Sequence, residues 1–110
     1  MAEKSDPLFR IRKLVEQKKY RIRIHAVQHM IKEGFNEDDI VEALRSGRVL
    51  EQYENEARCL ILGSFTTEVS AAVPLHVLCD HSNKDALDIV TAYIPQKPWW
   101  LTETKRGQIQ

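Results

Sequence analysis

From Arg48 to Ile94 the chain reads as four β-strands in succession, and this run constrains the fold more than any other feature. Arg48 to Tyr53 is the first, with Val49 opposed to Glu51 and Gln52. Arg58 to Phe65 is the second, a nearly continuous apolar run. Val73 to Asp80 and Leu87 to Ile94 complete the set. Asn55-Glu56-Ala57 and Ser82-Asn83-Lys84-Asp85 are rich in turn formers and join neighbouring strands. The stretch Thr66 to Ala72 reads either as an extension of two long strands or as a loose loop. Pro95 and Pro98 end the sheet, which puts Trp99-Trp100-Leu101 on or near its surface. Strands joined by such short connections pair antiparallel.

Helical signals precede these strands. Ser5-Asp6-Pro7 is a helix start, a capping side chain before a proline of the first turn. Leu8, Ile11, Leu14 and Val15 then recur at helical spacing, predicting a helix from about Pro7 to Lys18. Tyr20 to Ile24 alternates apolar and cationic residues, as a strand with one buried face does. A second helix is expected from about His25 to Lys32, with Val27, Met30 and Ile31 as its apolar stripe and Gly34 as its stop. Asn36-Glu37-Asp38-Asp39 opens a third, with Ile40, Val41 and Leu44 facing the core and Gly47 closing it. Helices first and hairpin-connected strands later predict an α+β domain. Its helices pack on one face of a curled, mainly antiparallel sheet of four to five strands. One domain spans residues 1–110, with an extra helix in 1–19 ahead of a core in 20–106.

The 16 basic and 16 acidic residues cancel, so overall charge gives no sign of a strongly basic nucleic-acid binder. The distribution is uneven. The first 25 residues hold eight basic groups against three acids, a difference of +5. From Val49 to Gln96, Arg58 and Lys84 face seven acids, and the tail turns basic again. A neutral chain of this kind presents either a basic patch suited to phosphates or an ordinary solvated helix face. No apolar run approaches the ~20 residues of a membrane span, and MAEKSDPLF has no apolar signal core. A cytoplasmic location is expected, with no membrane partner. Cys59 and Cys79 sit inside apolar runs, where cysteine acts as a small hydrophobe.

Four histidines carry the chemical interest: His25, His29, His76 and His81. His25 and His29 are four apart and share a helix face. That spacing suits zinc, but HAVQH lacks a glutamate and no Cys/His cluster completes a site, so no metal and no cofactor are expected. His76, inside PLHVLCD, reads as a buried, hydrogen-bonded strand histidine; His81, at a strand end, reads as solvated. No phosphate-binding glycine loop and no nucleophile elbow are present. Cleavage of RNA without metal needs a base, an acid and cations for the phosphate. His25 or His76, together with Arg21, Arg23, Arg48, Lys105 and Arg106, are of the right types, and Tyr93 or Trp100 suits base stacking.

The order of residues adds a resemblance. His25-Ala26 is followed by Met30 and Gly34-Phe35, then by Leu44 to Leu50, Pro74-Leu75-His76-Val77, and Val90 to Pro95 before Trp100. This sequence resembles a widespread bacterial family of small domains of unknown function. That family shows HA followed by R-M and E-R-G-I, then PLHVV, then T-x-Y-x-P before a tryptophan. The similarity covers about Tyr20 to Arg106. The family in turn is similar to RelE/BrnT-like toxin folds. The resemblance implies a metal-independent endoribonuclease with RNA as substrate and a small antitoxin protein as partner. By this resemblance His25 matches the family histidine, His76 the histidine of PLHVV and Tyr93 the tyrosine before the proline, which makes His25, His29 and His76 catalytic candidates and Tyr93 an RNA-binding one. Two family arginines are replaced, by His29 and Glu33. Either His29 takes over as a protonatable group, or the chain is a non-catalytic RNA- or protein-binding module on the same fold. The residues leave the oligomeric state open.

Overall fold

The structure, a computed structural model, describes residues 7–96 and 104–105. The expected cap at Ser5-Asp6, the Trp99-Trp100-Leu101 segment and Arg106 lie outside the described residues. The fold is α+β. Helix α1 (Pro7–Glu16) leads to a short strand β1 (Tyr20–Ile22), helix α2 (Ile24–Glu33) and helix α3 (Glu37–Ser46). Strands β2 (Arg48–Tyr53), β3 (Arg58–Phe65), β4 (Val73–Asp80) and β5 (Leu87–Tyr93) follow. The order across the sheet is β1-β5-β4-β3-β2. The last four strands form an antiparallel meander, and β1 adds to β5 in parallel, so the sheet is mixed.

Several element ends differ slightly from those the sequence predicts. Helix α1 stops at Glu16, short of Lys18, because Lys18 turns into the left-handed region at φ 59°. The strand expected over Tyr20 to Ile24 ends at Ile22, and Arg23 becomes the residue that starts α2. Strand β5 ends one residue before Ile94. Thr66 to Ala72 forms a loop, organised by the Thr67 hydroxyl, which accepts from the Ser70 and Val69 amides.

Helix α3 follows its capping signal. The Asn36 side chain accepts from the Asp39 amide while the Asp39 carboxylate accepts from the Asn36 amide, each at 3.0 Å. Ile40, Ala43 and Leu44 are fully buried against the sheet face that carries Cys59, Ile61, Leu75 and Val77. Close approach is possible because Gly63 has no side chain: a Cβ there would lie 1.9 Å from the Ala43 carbonyl oxygen. Helix α1 closes the other side of α3. Its Arg12 guanidinium donates from Nε to Leu44 O at 3.0 Å and from Nη2 to Gly47 O at 2.6 Å, satisfying carbonyls at the end of α3.

Helix α2 is placed differently. The Arg23 amide donates to Ile89 O at 2.9 Å, and the Ile94 amide donates to the Glu33 carboxylate at 2.8 Å. From Arg23 to Glu33 a helix rises ~15 Å, and from Ile89 to Ile94 a strand rises ~16 Å. The helix therefore runs alongside β5 where β1 leaves off, covering an edge that would otherwise stay open. Of the stripe expected from Val27, Met30 and Ile31, the first two are half-buried, but Ile31 is 80% exposed. Ala26, the smallest apolar residue of the helix, is the one that is fully buried. No helix among the described residues is long and apolar enough to cross a membrane.

Candidate functional site

The flank of α2 next to its buried side carries His25, His29 and Glu33, each four residues from the last. At 100° per residue such a series drifts only 40° per step, so the three form one stripe. His29 Nδ1 lies 2.6 Å from Glu33 Oε2. That leaves Nε2 as the outward-facing nitrogen. The Glu33 carboxylate is thus bound twice, to an imidazole and to the Ile94 amide, which fixes its position. The His29 side chain is 38% exposed and that of Glu33 is 12% exposed, so the pair opens to solvent on its histidine side.

Tyr93 links this stripe to the sheet. Its ring centroid is 5.9 Å from that of His29 and 5.2 Å from that of His76, the latter in an edge-on arrangement. His76 Nδ1 lies 3.3 Å from the Tyr93 hydroxyl. His76 is fully buried, as its apolar context suggested, and faces Leu62 and Tyr93 in the neighbouring strands. The alternation of β3, β4 and β5 places Leu60, Leu62, His76, Leu78, Thr91 and Tyr93 on the face away from α3. A groove of about 310 Å³ there has Leu60, Leu78, Thr91 and Tyr93 in its lining, with Glu56 and Arg58 as its charged residues.

The structure therefore brings together His29, His76 and Tyr93, with His25 exposed one helical turn from His29. Glu33, which the sequence reading treated only as a lost arginine, is the partner that orients His29. Its signal was the four-residue spacing. Arg21 and Arg23 were expected to share a strand face. Because the strand ends at Ile22, they converge through a different route, on the Asp88 carboxylate. Arg21 meets it at 3.1 and 3.3 Å, and Arg23 at 3.7 Å. Two exposed guanidiniums on one carboxylate leave one net positive charge at the start of α2. Asp88 also supplies the anion that this helix lacks in its own first turn. Lys105 is exposed.

The other titratable groups sit apart from this cluster. His81 is half-buried, correcting the solvated reading: the Arg10 side chain docks on its carbonyl at 2.7 Å. Burial and then the Arg10 charge lower its pKa. Burial works to raise the pKa of Asp80, but the Ser82 amide and hydroxyl and then Arg58 outweigh it, and the net shift is downward. Burial, and then the neighbouring Cys59 and Asp80, push the Cys79 thiol well up. Cys59 and Cys79 face each other in the β3–β4 register, both buried and both reduced. Among the described residues no three His, Cys, Asp or Glu side chains converge on a common point.

Fold and site together define a small α+β domain whose polar cluster lies where an edge helix meets the last strand. The model of a family described as a domain of unknown function, DUF4258, matches residues 22–94, and the chain belongs to that family. The match contains His25, His29, Glu33, His76 and Tyr93, whereas α1 precedes it. No curated protein and no solved structure matches the chain.

Proposed function

We propose that this domain is a cytoplasmic, metal-independent endoribonuclease resembling the RelE/BrnT-like toxins, with RNA as substrate and a small antitoxin-like protein as partner. The observation that carries this reading is the His29–Glu33 pair at 2.6 Å beside the Tyr93–His76 contact. A histidine held by a carboxylate, half-open to solvent, is the arrangement of an oriented general base. In the reaction His29 Nε2 takes the proton of a ribose 2′-hydroxyl. The 2′-oxygen bonds to phosphorus as the bond from phosphorus to the 5′-oxygen breaks. His25, one turn along the helix, gives the leaving oxygen its proton, and a 2′,3′-cyclic phosphate remains. Arg21 and Arg23, with Lys105 and Arg106, offer cations to the phosphates, and their contribution is salt-dependent. The Tyr93 ring holds the His29 flank in register with buried His76.

A second reading is favoured by two observations. Glu33 also secures the end of β5, and Asp88 engages both arginines. Glu33, Arg21 and Arg23 then have structural employment, as in a non-catalytic RNA- or protein-binding module. A gel assay with labelled RNA oligomers, with and without ribosomes, separates the two. The ribonuclease reading expects cleavage that falls roughly 100-fold in His29→Ala and less in Glu33→Gln. It also expects Arg21→Ala/Arg23→Ala to weaken binding, with the salt slope lowered by ~0.7 per lost contact to a single strand. Uncleaved RNA under all these conditions decides for the binding module.

A further inference from the structure

Helix α2 carries large apolar residues on a side turned away from the sheet. Ile24 is 62% and Ile31 80% exposed, with half-buried Val27 beside them. Spacings of three and seven residues at 100° each put all three within a 60° arc, roughly opposite Ala26 and Glu33. Unlike Phe9 and Val69, which are exposed singly, Ile24 and Ile31 lie on one face of one helix and form a continuous stripe with Val27, the form in which exposed apolar residues serve as a contact surface. The surroundings of the stripe are cationic. Lys32 borders it at the end of the helix, and at the start Arg23 and Arg21 share the single Asp88 carboxylate, which leaves one net positive charge there; all three cations are exposed. The one acid of α2, Glu33, is turned inward to His29 and Ile94.

We propose that this face of α2 docks an acidic amphipathic helix of a partner protein. Charge decides the occupant. A second copy of the chain would pair α2 with α2 about a two-fold axis. Run antiparallel, that pairing sets Arg23 against Lys32; run parallel, it sets each cation against itself. A segment with leucine-like residues at helical spacing, flanked by glutamate or aspartate, satisfies both the stripe and its cations. Helix α2 is ten residues long, so it offers ~15 Å of contact, three turns of a partner. A helix that short is marginal alone, so the segment folds on contact and binding is modest and salt-sensitive. This inference goes beyond the ribonuclease reading and stands without it.

The test uses the full chain and a fluorescein-labelled synthetic peptide of about 14 residues. The peptide has leucine at positions i, i+3, i+4 and i+7 and glutamate on the flanks. Its twin carries lysine at every glutamate. Anisotropy titration is expected to show the acidic peptide binding at least about tenfold more tightly than the twin, a difference of ~1.4 kcal/mol. Ile24→Ser/Ile31→Ser, whose side chains are exposed and whose fold is checked by circular dichroism, should weaken the acidic peptide by at least about tenfold. Absent binding, equal binding of the two peptides, or binding indifferent to the double variant overturns the proposal. A parent dimer in sedimentation that the double variant dissociates assigns the stripe to a second copy instead. RNA binding that falls in the double variant assigns it to nucleic acid.

Discussion

Helix α3 rests on the sheet through fully buried Ile40, Ala43 and Leu44, with backbone nearly touching backbone at Gly63. Helix α2 reaches the sheet with one fully buried residue, Ala26, and is held at its two ends by hydrogen bonds to Ile89 and Ile94. The first contact is a matter of shape and tolerates no added volume. The second is a matter of directed polar contacts, which leave side chains half-exposed and chemically available. His25, His29, His76, Tyr93 and the paired arginines all gather at the second. A rigid meander clamped by α3 thus supplies a fixed edge, and α2 lays its polar flank along that edge.

The largest effect expected from this contrast is at Gly63. A Cβ there would sit 1.9 Å from Ala43 O and 2.5 Å from Ala43 C, and both are backbone atoms that cannot turn aside. Gly63→Ala should therefore lift α3 off β3, at the upper end of the ~1–3 kcal/mol typical of overpacking or beyond it. Gly34, the stop of α2, is the informative control. It has open space around its Cα but φ +83°. Gly34→Ala should cost only about 1 kcal/mol, from backbone strain alone. Urea denaturation of the two variants gives the comparison directly. Equal midpoints would mean that α3 is not held by close packing.

Next in size is Glu33, the pin of α2. Glu33→Ala leaves the partly buried Ile94 amide without its acceptor and should cost about 1–2 kcal/mol. Glu33→Gln keeps a side-chain oxygen for Ile94 and loses only the charge facing His29, so it should recover most of that stability. Amide exchange at Ile94 reads the same difference locally, fast in Glu33→Ala and slow in Glu33→Gln. If Gln fares no better than Ala, the charge toward His29, and not the strand contact, holds the helix.

The contrast also explains what the sequence could and could not reveal. Strands β2, β3 and β4 begin and end where turn residues interrupt apolar runs, and α3 begins at Asn36, because those signals are local and agree with one another. Around α2 the local signals conflict. Its apolar residues occupy more than one face, so periodicity favoured Val27, Met30 and Ile31, while the fit to β5 selected Ala26. The parallel pairing of β1 with β5 joins residues more than sixty positions apart, as Arg21 and Asp88 show, and nothing local encodes it. The burial of His76 was legible from its apolar neighbours, but its tyrosine partner, seventeen residues on, was not. The His29–Glu33 spacing stands in plain view, yet by residue type Glu33 reads only as a departure from an arginine, and His29 as that or as a neighbour of His25.

The smallest expected effect concerns a contact that ties β1, the strand leading into α2, to α3. Tyr20, in β1 beside α2, donates its hydroxyl to Glu37 Oε2 at 2.5 Å, in the first turn of α3. Burial, and then the hydrogen bond and charge of Glu37, raise the phenol from 10.0 to about 12. A folded-state value above the unfolded one means that the neutral phenol favours the fold. This contribution is complete below pH 10 and is lost as pH rises from about 10 to about 12. Because the phenol is only partly buried, solvent screening holds the effect to a few tenths of a kcal/mol up to about 1. The parent should lose stability over that alkaline window more steeply than Tyr20→Phe, which has no proton to release there. Ultraviolet titration should show a late tyrosine step whose amplitude falls by one tyrosine in Tyr20→Phe. Parallel alkaline profiles for the two proteins would mean that β1 and α3 are not coupled through this bond, and that the edge carrying α2 is held by β5 alone.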